Sequence, residues 1–528
     1  PDVNNQSGEY QLSNGSFIGS KILKQITLTE EQRQIIINNK FKKALKKAQK
    51  NHSIGNETAS NIYDNISKNE GYTQDITITL WDLYKHCSTK LETALKDWGC
   101  EISKGSIDHS LSTRWEETSD ERKLECLTYL KADVLGLMEL YNKQNQYYND
   151  KYGIVLTDYI TTSQATYDYW RTKLGDNKIY IPTYEEDSFM RQSAYGGRTY
   201  PNKKLFKSTQ YNNIKNGELK YHDINDCIRD LDVVSLYPTA MMCDYPIGEP
   251  IKTNIYQNDK LGIYHAKMTT NKKLLTPAVP RRTENGELVW DLNDCEGVWN
   301  SIDIENGKQY GYQFEIINGI YWDEKAPIFA ETMNELFQAK ANSKKGTAQY
   351  NVSKLWLNAL YGKNLQRPII ETTEHISSQG ELLAFSAKHI ITDVIQFDDK
   401  SIIIQGSCRS TEEQNKRVNK PSQNGSFILA YSRRIMLEWM KKTNPSDEME
   451  KLFYYTDTDS LLVHNSCMDN IQIGKQLGDL SYDVNGKIIK AEFIAPKLYH
   501  LEYITPDNKI EHIFKGKGCN TKQLDEKK

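Results

Sequence analysis

The sequence predicts a mixed α/β chain of several domains. Two aspartate-bearing stretches have the apolar flanks of short β-strands. One runs from Cys227 to Leu236, with Asp232 near its exit, and the other sets Leu452 to Tyr455 and Leu461 to Val463 around a tight Asp457-Thr-Asp459 turn. Elsewhere apolar residues recur at helical spacing, as in Leu124, Leu127, Leu130, Val134 and Leu137. A length of 528 residues exceeds what one hydrophobic core usually holds.

The two aspartate stretches organise the rest. Laid side by side in one sheet, these strands let Asp232 and Asp459 meet at its edge. Facing carboxylates repel unless a cation lies between them, and Mg²⁺ suits a site of few carboxylates completed by substrate phosphates. Such a pair can hold two metals about 3.5–4 Å apart and drive in-line phosphoryl or nucleotidyl transfer.

Composition narrows the class. The chain carries 67 basic and 70 acidic residues, a net charge of −3, so a polynucleotide partner must meet local basic patches rather than a basic coat. Apolar content of 38 % supports sizeable cores, and 33 tyrosines dominate the aromatics. Nine scattered cysteines without a Cys-x-x-Cys pair argue against a disulfide framework or zinc ribbon and for thiols in a reducing compartment. No run of about 18 apolar residues and no signal-peptide pattern is present, so the expectation is a soluble, intracellular, unsecreted protein with no membrane partner. Cytoplasm, mitochondrion and virus-infected cell are not distinguished. The first residue is Pro1 rather than Met, which fits a fragment or a processed chain.

Residues 1 to about 75 are polar, with a basic helix at Lys40 to Lys50 that reads as a solvated face, nucleic-acid contact being the alternative. Asp75 to Tyr84 alternates like a strand and Thr89 to Trp98 like a short amphipathic helix. Thr118-Ser-Asp-Glu121 fits a capping box before the leucine-rich helix. Tyr129 and Asp133 share another face of that helix, where they could orient a water and a metal; a packed Tyr beside a surface Asp is the plainer reading. Residues 141–190 read as a helix-rich connector. Ser193-Ala-Tyr195-Gly196-Gly197-Arg198 follows, with paired glycines that permit close backbone approach or positive φ. Tyr245 to Tyr321 is strand-like, with turns at Glu284-Asn-Gly286 and Asn306-Gly-Lys308.

Pro327 opens a helical stretch running to Lys340. A second helix places Lys354, Asn358 and Tyr361 on one face, at i, i+4 and i+7. A lysine, an amide and an aromatic there suit a nucleoside triphosphate: the lysine for phosphates, the ring for a base. An ordinary solvated helix face is the alternative. Gln366 to Ser422 reads as a strand-like insertion, and Phe427 to Met440 as a helix with Arg433 and Arg434. Ala491 to Tyr499 reads as one strand with Lys497 and Tyr499 on the same face.

The order of these stretches carries more than any one of them. Asp232-x-x-Ser-Leu-Tyr-Pro precedes Lys354-x-x-x-Asn-x-x-Tyr-Gly, then Tyr455-x-Asp-Thr-Asp-Ser, then Lys497-x-Tyr. This order resembles the family B DNA polymerases, and specifically their protein-primed branch of phages, adenoviruses and linear plasmids, over roughly residues 75 to 520. The resemblance implies a right-hand α/β (α+β) polymerase. Asp232 and Asp459 would be catalytic metal ligands for two Mg²⁺ ions, with Mn²⁺ as a substitute, and Asp457 would assist. Tyr237 would lie under the incoming sugar and exclude a 2′-hydroxyl. Lys354, with Lys340 as a second contact, would hold triphosphate, while Asn358 and Tyr361 line the nascent base pair. Lys497 and Tyr499 would grip the primer end, and Tyr195, Gly196 and Gly197 would bind template. Partners would be template–primer DNA, deoxynucleoside triphosphates and a terminal protein whose hydroxyl primes replication of a linear viral or plasmid genome.

The implied organisation is a partial exonuclease-like domain and connector over 1–189, a palm split between 190–252 and 425–515, and fingers over 327–365. Priming insertions would occupy 253–326 and 366–424, and 516–528 would start a truncated thumb. Several features depart from the family pattern. Ala359 stands where the family has Ser. Of three acidic exonuclease motifs, Tyr129-x-x-x-Asp133 matches the third. The first has no match, and the second aligns with Asn14-Gly-Ser-Phe17-Ile18, with Ile18 in the carboxylate's place. Proofreading is therefore expected to be weak or absent. The rival expectation is a truncated, non-catalytic DNA-binding relic. An RNA-templated polymerase fits less well, because such enzymes generally carry Tyr-x-Asp-Asp.

Overall fold

The structure is a computed structural model that describes residues 8–13, 16–27, 29–49, 63–68, 73–87, 89–107, 115, 118–274, 277–398, 401–443 and 453–517. The chain divides into two compact units, Pro1–Ala165 and Thr166–Lys528.

In the first unit, Ser16–Thr27 pairs antiparallel with Gly8–Ser13 on one side and Thr73–Trp81 on the other. The leucine-rich helix is Asp120–Tyr152. Its cap is Ser119, one residue later than the sequence suggested; the Ser119 hydroxyl accepts the Arg122 N–H, and Gly153 ends the helix at φ 66°. Leu83, Ala94, Leu95 and Leu140 form the local core. Of the residues expected to align with a second exonuclease motif, Asn14 lies outside the described residues, while Phe17 and Ile18 belong to the Ser16–Thr27 strand.

The second unit is built on an antiparallel sheet. Its strands run in the order Ile510–Gly516, Leu498–Ile504, Lys487–Ala495, Ile228–Val233, Ser460–His464, Phe453–Asp457, Thr199–Pro201, with Leu480–Tyr482 also on Ile228–Val233 and Leu205–Lys207 on Lys487–Ala495. The period of two decides which side chain goes where. Leu231, Val233, Leu461 and Val463 face the helix Ser422–Thr443, packing with Met436 and Met440. Ile228 and Leu462 face the other way, into a core with Phe493 and Leu501. A bulge between Phe453 and Tyr455 turns both Tyr454 and Tyr455 into that second core.

Two folded segments interrupt this sheet. The first has strands Ile251–Thr253, Gln313–Trp322, Leu261–Thr269 and Cys295–Asn300 in that spatial order, and a helix Ser301–Gln309. That helix corrects the expected turn at Asn306-Gly-Lys308. The Asn300 side chain caps it by accepting the Asp303 N–H at 3.1 Å, and burial of Ile302 and Ile304 holds the local Asn-Gly turn signal in helical form. The second segment is less purely strand than expected. Glu371–Ile376, Ser401–Cys408 and His389–Asp398 form a sheet, joined by helices Gln379–Lys388 and Thr411–Arg417. Between the two segments, Ala330–Ala341 and Ala348–Asn364 form a helical hairpin.

Arg433 ties the first segment to the long helix. Its Nη2 lies 2.5 Å from Asp303 Oδ2, and the two side chains are 3 % and 2 % exposed. Removing one partner strands a buried charge, so Asp303→Ala is expected to cost about 3–5 kcal/mol. The double replacement Asp303→Leu/Arg433→Met should cost clearly less. Urea unfolding of the three variants checks this.

Candidate active site

Strand pairing brings the two organising aspartates together. Ser460 is the cross-strand partner of Asp232, and the Val233 N–H donates to the Asp459 carbonyl at 2.9 Å. The strands are direct neighbours within the sheet rather than at its edge. Burial, then Asp459 and Asp483, push the Asp232 carboxyl up to about 7. The Asp459 carboxyl is raised as well, chiefly by burial, with Asp457 and Asp483 adding to it. Among the described residues neither carboxylate makes an ion pair.

Two more acids belong to this neighbourhood. Asp230 is on the same strand face as Asp232; it is buried, and burial, Asp483 and Asp232 raise its carboxyl well above the usual range. The alternation of the Ile228–Val233 strand could have revealed it. Asp483 had no local signal, because it arrives through the pairing of Leu480–Tyr482 with Ile228–Val233.

The turn between the strands is tightly held. Thr458 adopts φ 65°, a left-handed conformation that a β-branched residue rarely takes. Its N–H donates to the Arg198 carbonyl at 2.8 Å. A Cβ on Gly197 would lie 3.1 Å from Thr458 Cα and 2.8 Å from its Cγ2, so only glycine seats the turn without displacement. Asp457 is turned to other partners: Lys497 Nζ ion-pairs with its Oδ1, which also accepts the Thr199 hydroxyl at 3.0 Å.

Lys497 does not lie on a strand. The strand Lys487–Ala495 ends, the chain turns with Lys497 at φ 61°, and Leu498–Ile504 returns beside it. The Lys497 N–H donates to the Tyr455 hydroxyl at 2.8 Å, and the Tyr499 ring packs 5.0 Å from that of Tyr455. The two residues are neighbours through this hairpin rather than through strand alternation.

The helical hairpin contributes the cationic and aromatic side. Val352, Trp356, Leu357 and Leu360 are buried, which leaves Lys354 and Asn358 exposed and Tyr361 partly exposed on the opposite face. Tyr361 stacks on Tyr237, with ring centroids 4.0 Å apart at 17°. Tyr237 follows Ser235, itself left-handed at φ 55°, in the short helix Leu236–Ala240. Burial, Tyr361 and Asp459 raise the Tyr237 phenol, which places the stack within electrostatic reach of the carboxylates. Lys340 Nζ lies 3.4 Å from Ser235 Oγ. Burial lowers its amine, and the Lys354 charge lowers it further.

Tyr195 departs from expectation. It is 2 % exposed, its hydroxyl donates to the Val298 carbonyl at 2.9 Å, and its ring stacks toward Trp299. That ring is core and does not present itself to a nucleic acid; Gly196 is partly exposed, and a Cβ added there would lie 3.6 Å from Leu288 Cδ2. Asp133, in the first unit, lies 3.8 Å from Lys104 Nζ, and Lys104 also lies over the Tyr129 ring.

The arrangement suits a divalent metal. The Asp459 charge opposes ionisation of Asp232, neither carboxylate makes an ion pair among the described residues, and Lys497, whose charge reaches Asp459, is paired with Asp457. No group of three or more His, Cys, Asp or Glu forms a metal cage among the described residues. Two carboxylates with open positions are the donor set of a cation that completes its shell with phosphates and water.

The family model for DNA polymerase type B, organellar and viral, matches residues 14–445. The chain belongs to the family B DNA polymerases of the organellar and viral, protein-primed type. A probable DNA polymerase of Agaricus bitorquis is 27 % identical over 86 % of this chain and 61 % of its own length. One of Podospora anserina is 25 % identical over 85 % of this chain and 40 % of its own length. This family B chain thus spans less than two thirds of those relatives. In fold it resembles Phi29 DNA polymerase complexed with primer-template DNA and incoming nucleotide, with a TM-score of 0.60 at 17 % identity, covering 86 % of this chain and 75 % of that one. The family implies divalent metal use. Among the described residues, no helix of this polymerase-family chain is long and apolar enough to cross a membrane.

Proposed function

We propose that this chain is a DNA-templated DNA polymerase that adds deoxynucleotides to a primer hydroxyl, either a DNA 3′-end or a Ser, Thr or Tyr of a terminal protein, in replication of a linear genome. The observation that carries the reading is one neighbourhood holding the Asp232–Asp459 pair, the Tyr237–Tyr361 stack and the Lys340–Lys354 cations. The palm would combine 190–252 with 425–515, the fingers would be 327–365, and 253–326 and 366–424 would be the priming insertions. Residues 1–189 would be the exonuclease-like part and connector; of 516–528, expected as thumb, residues 518–528 lie outside the described residues.

Two bound Mg²⁺ ions, or Mn²⁺, would supply Lewis acidity toward the primer hydroxyl and the triphosphate. Asp232 and Asp459 would hold them. Lys354 and Lys340 would receive the triphosphate by charge-assisted hydrogen bonds. The rigid stack of Tyr237 on Tyr361 would form a wall under the sugar that leaves no room for a 2′-hydroxyl, with Asn358 beside the nascent base pair. Asp457 would act through Lys497, keeping that ammonium near the primer end beside Tyr499. Gly196 and Gly197 would offer backbone to the template. In the first unit, Asp133 lies 3.8 Å from Lys104 Nζ and Ile18 stands in a carboxylate's place, which supports weak or absent proofreading.

Primer extension on DNA and RNA templates with deoxy- or ribonucleotides tests the reading. Extension is expected on DNA template with deoxynucleotides, at least about 100-fold above ribonucleotides, and Tyr237→Val should narrow that gap by at least about tenfold. Equal use of both sugars by wild type would contradict the role of Tyr237.

A further inference from the structure

The Tyr195–Arg198 loop touches the catalytic turn on one side and the first inserted segment on the other. Toward the turn, the Arg198 carbonyl accepts the Thr458 N–H, and Gly197 and Thr199 on either side of it contact Thr458 and Asp457. Toward the inserted segment, the Arg198 side chain leaves the loop altogether. Its Nη2 donates to the Pro277 carbonyl, and its guanidinium lies 4.2 Å from the centre of the Trp290 ring. Arg198 is 5 % exposed and, among the described residues, forms no ion pair with a carboxylate. A buried arginine without an acid is costly, so the indole and the Pro277 carbonyl, with the Met440 sulfur that accepts from Nη1 at 3.6 Å and the Tyr200 ring 5.8 Å away, must hold it in place. The same segment holds the start of the loop: Arg282 Nη2 donates to the Ala194 carbonyl at 3.0 Å. Packing here is close, and the cavity bordered by Gly197, Arg198, Trp290 and Thr458 has a volume of about 10 Å³, no more than one water.

We propose that Arg198 is a positioning residue: wedged between Trp290 and the Pro277 carbonyl, it fixes the loop on which the Asp457–Asp459 turn is seated, so the inserted segment sets the position of Asp459. The proposal rests on the polymerase reading of Asp459. Thr458 is held in a conformation its side chain disfavours, and the Arg198 carbonyl is the anchor of its amide. Loosening the guanidinium frees that anchor and lets the turn relax away from Asp232.

The test uses the full chain with Arg198→Met, Arg198→Lys, Trp290→Leu and Trp290→Phe. Arg198→Met is expected to lower the maximal rate of single-nucleotide addition at least about 30-fold, with nucleotide and primer–template affinities unchanged within about threefold. Arg198→Lys and Trp290→Phe should recover most of that rate. Amide exchange of the peptide covering Thr456–Ser460 should quicken at least about tenfold in Arg198→Met. If Arg198→Met does not fold, Trp290→Leu against Trp290→Phe makes the same comparison. A lowered melting temperature with unchanged rate and unchanged exchange at the turn would overturn the proposal, as would a loss confined to binding. If the wild-type chain adds no nucleotide, the polymerase reading fails, and exchange at the turn still decides whether Arg198 holds it.

Discussion

Asp459→Asn and Asp232→Asn are each expected to reduce template-directed nucleotide addition at least about a thousandfold, a barrier increase of about 4 kcal/mol. The reason is the pairing of the two strands. Ser460 opposite Asp232, and the Val233 amide on the Asp459 carbonyl, put both carboxylates at one point of a rigid sheet. Asparagine keeps the size and removes the charge, so the fold persists and the metal site does not. The same substitutions carry a second expected result of opposite sign. Burial raises both carboxyls, with Asp459 and Asp483 adding to it at Asp232 and Asp457 and Asp483 adding to it at Asp459, so each charge is held at a cost to the folded state. Removing one relieves that cost, and without added metal neither variant should melt below wild type. A variant that is catalytically dead but no less stable is the signature of a site strained for function. Rapid-quench incorporation and thermal melting in chelator read the two results.

The second large effect is expected at Lys354. Lys354→Ala should raise the nucleotide concentration needed for half-maximal rate about 30–100-fold, or about 2–3 kcal/mol, with primer–template affinity unchanged. Lys354 is exposed on a helix whose opposite face is anchored by Trp356, Leu357 and Leu360. Its loss therefore removes a contact without disturbing a core. Lys340 is half-buried, and the Lys354 charge lowers its pKa, so the two cations oppose each other until an anion comes between them. Lys340→Ala is accordingly expected to be milder than Lys354→Ala, because removing Lys340 also relieves repulsion. Pre-steady-state addition across a nucleotide titration separates affinity from rate.

What was legible in the sequence follows from how local each signal is. Asp232 and Asp459 stood out because strand alternation and a tight turn are encoded within ten residues, and Lys354, Asn358 and Tyr361 because helical spacing places them on one face. The Tyr237–Tyr361 stack was not legible: it joins two helices more than a hundred residues apart. Lys497 was read onto a strand because its turn uses a left-handed lysine where glycine would have announced it. Tyr195 was read as a contact residue from its place beside two glycines, and its burial depends on Trp299 and Val298 of a distant segment. The helix Gln379–Lys388 was missed although its signal was present, a capping box in which Ser378 and Glu381 satisfy each other's backbone amides. Its flanking β-branched residues outweighed that cue. Arg198 gave none, since nothing local marks an arginine that will be buried without an acid.

The most direct measurement is single-turnover addition of one nucleotide by the wild-type chain to a primed DNA template with Mg²⁺, each of the four deoxynucleotides offered in turn. The two-carboxylate reading predicts that only the templated nucleotide is added, and that chelator stops the addition. Tight binding of the primed template with no addition of any nucleotide would contradict it and leave a DNA-binding relic in its place.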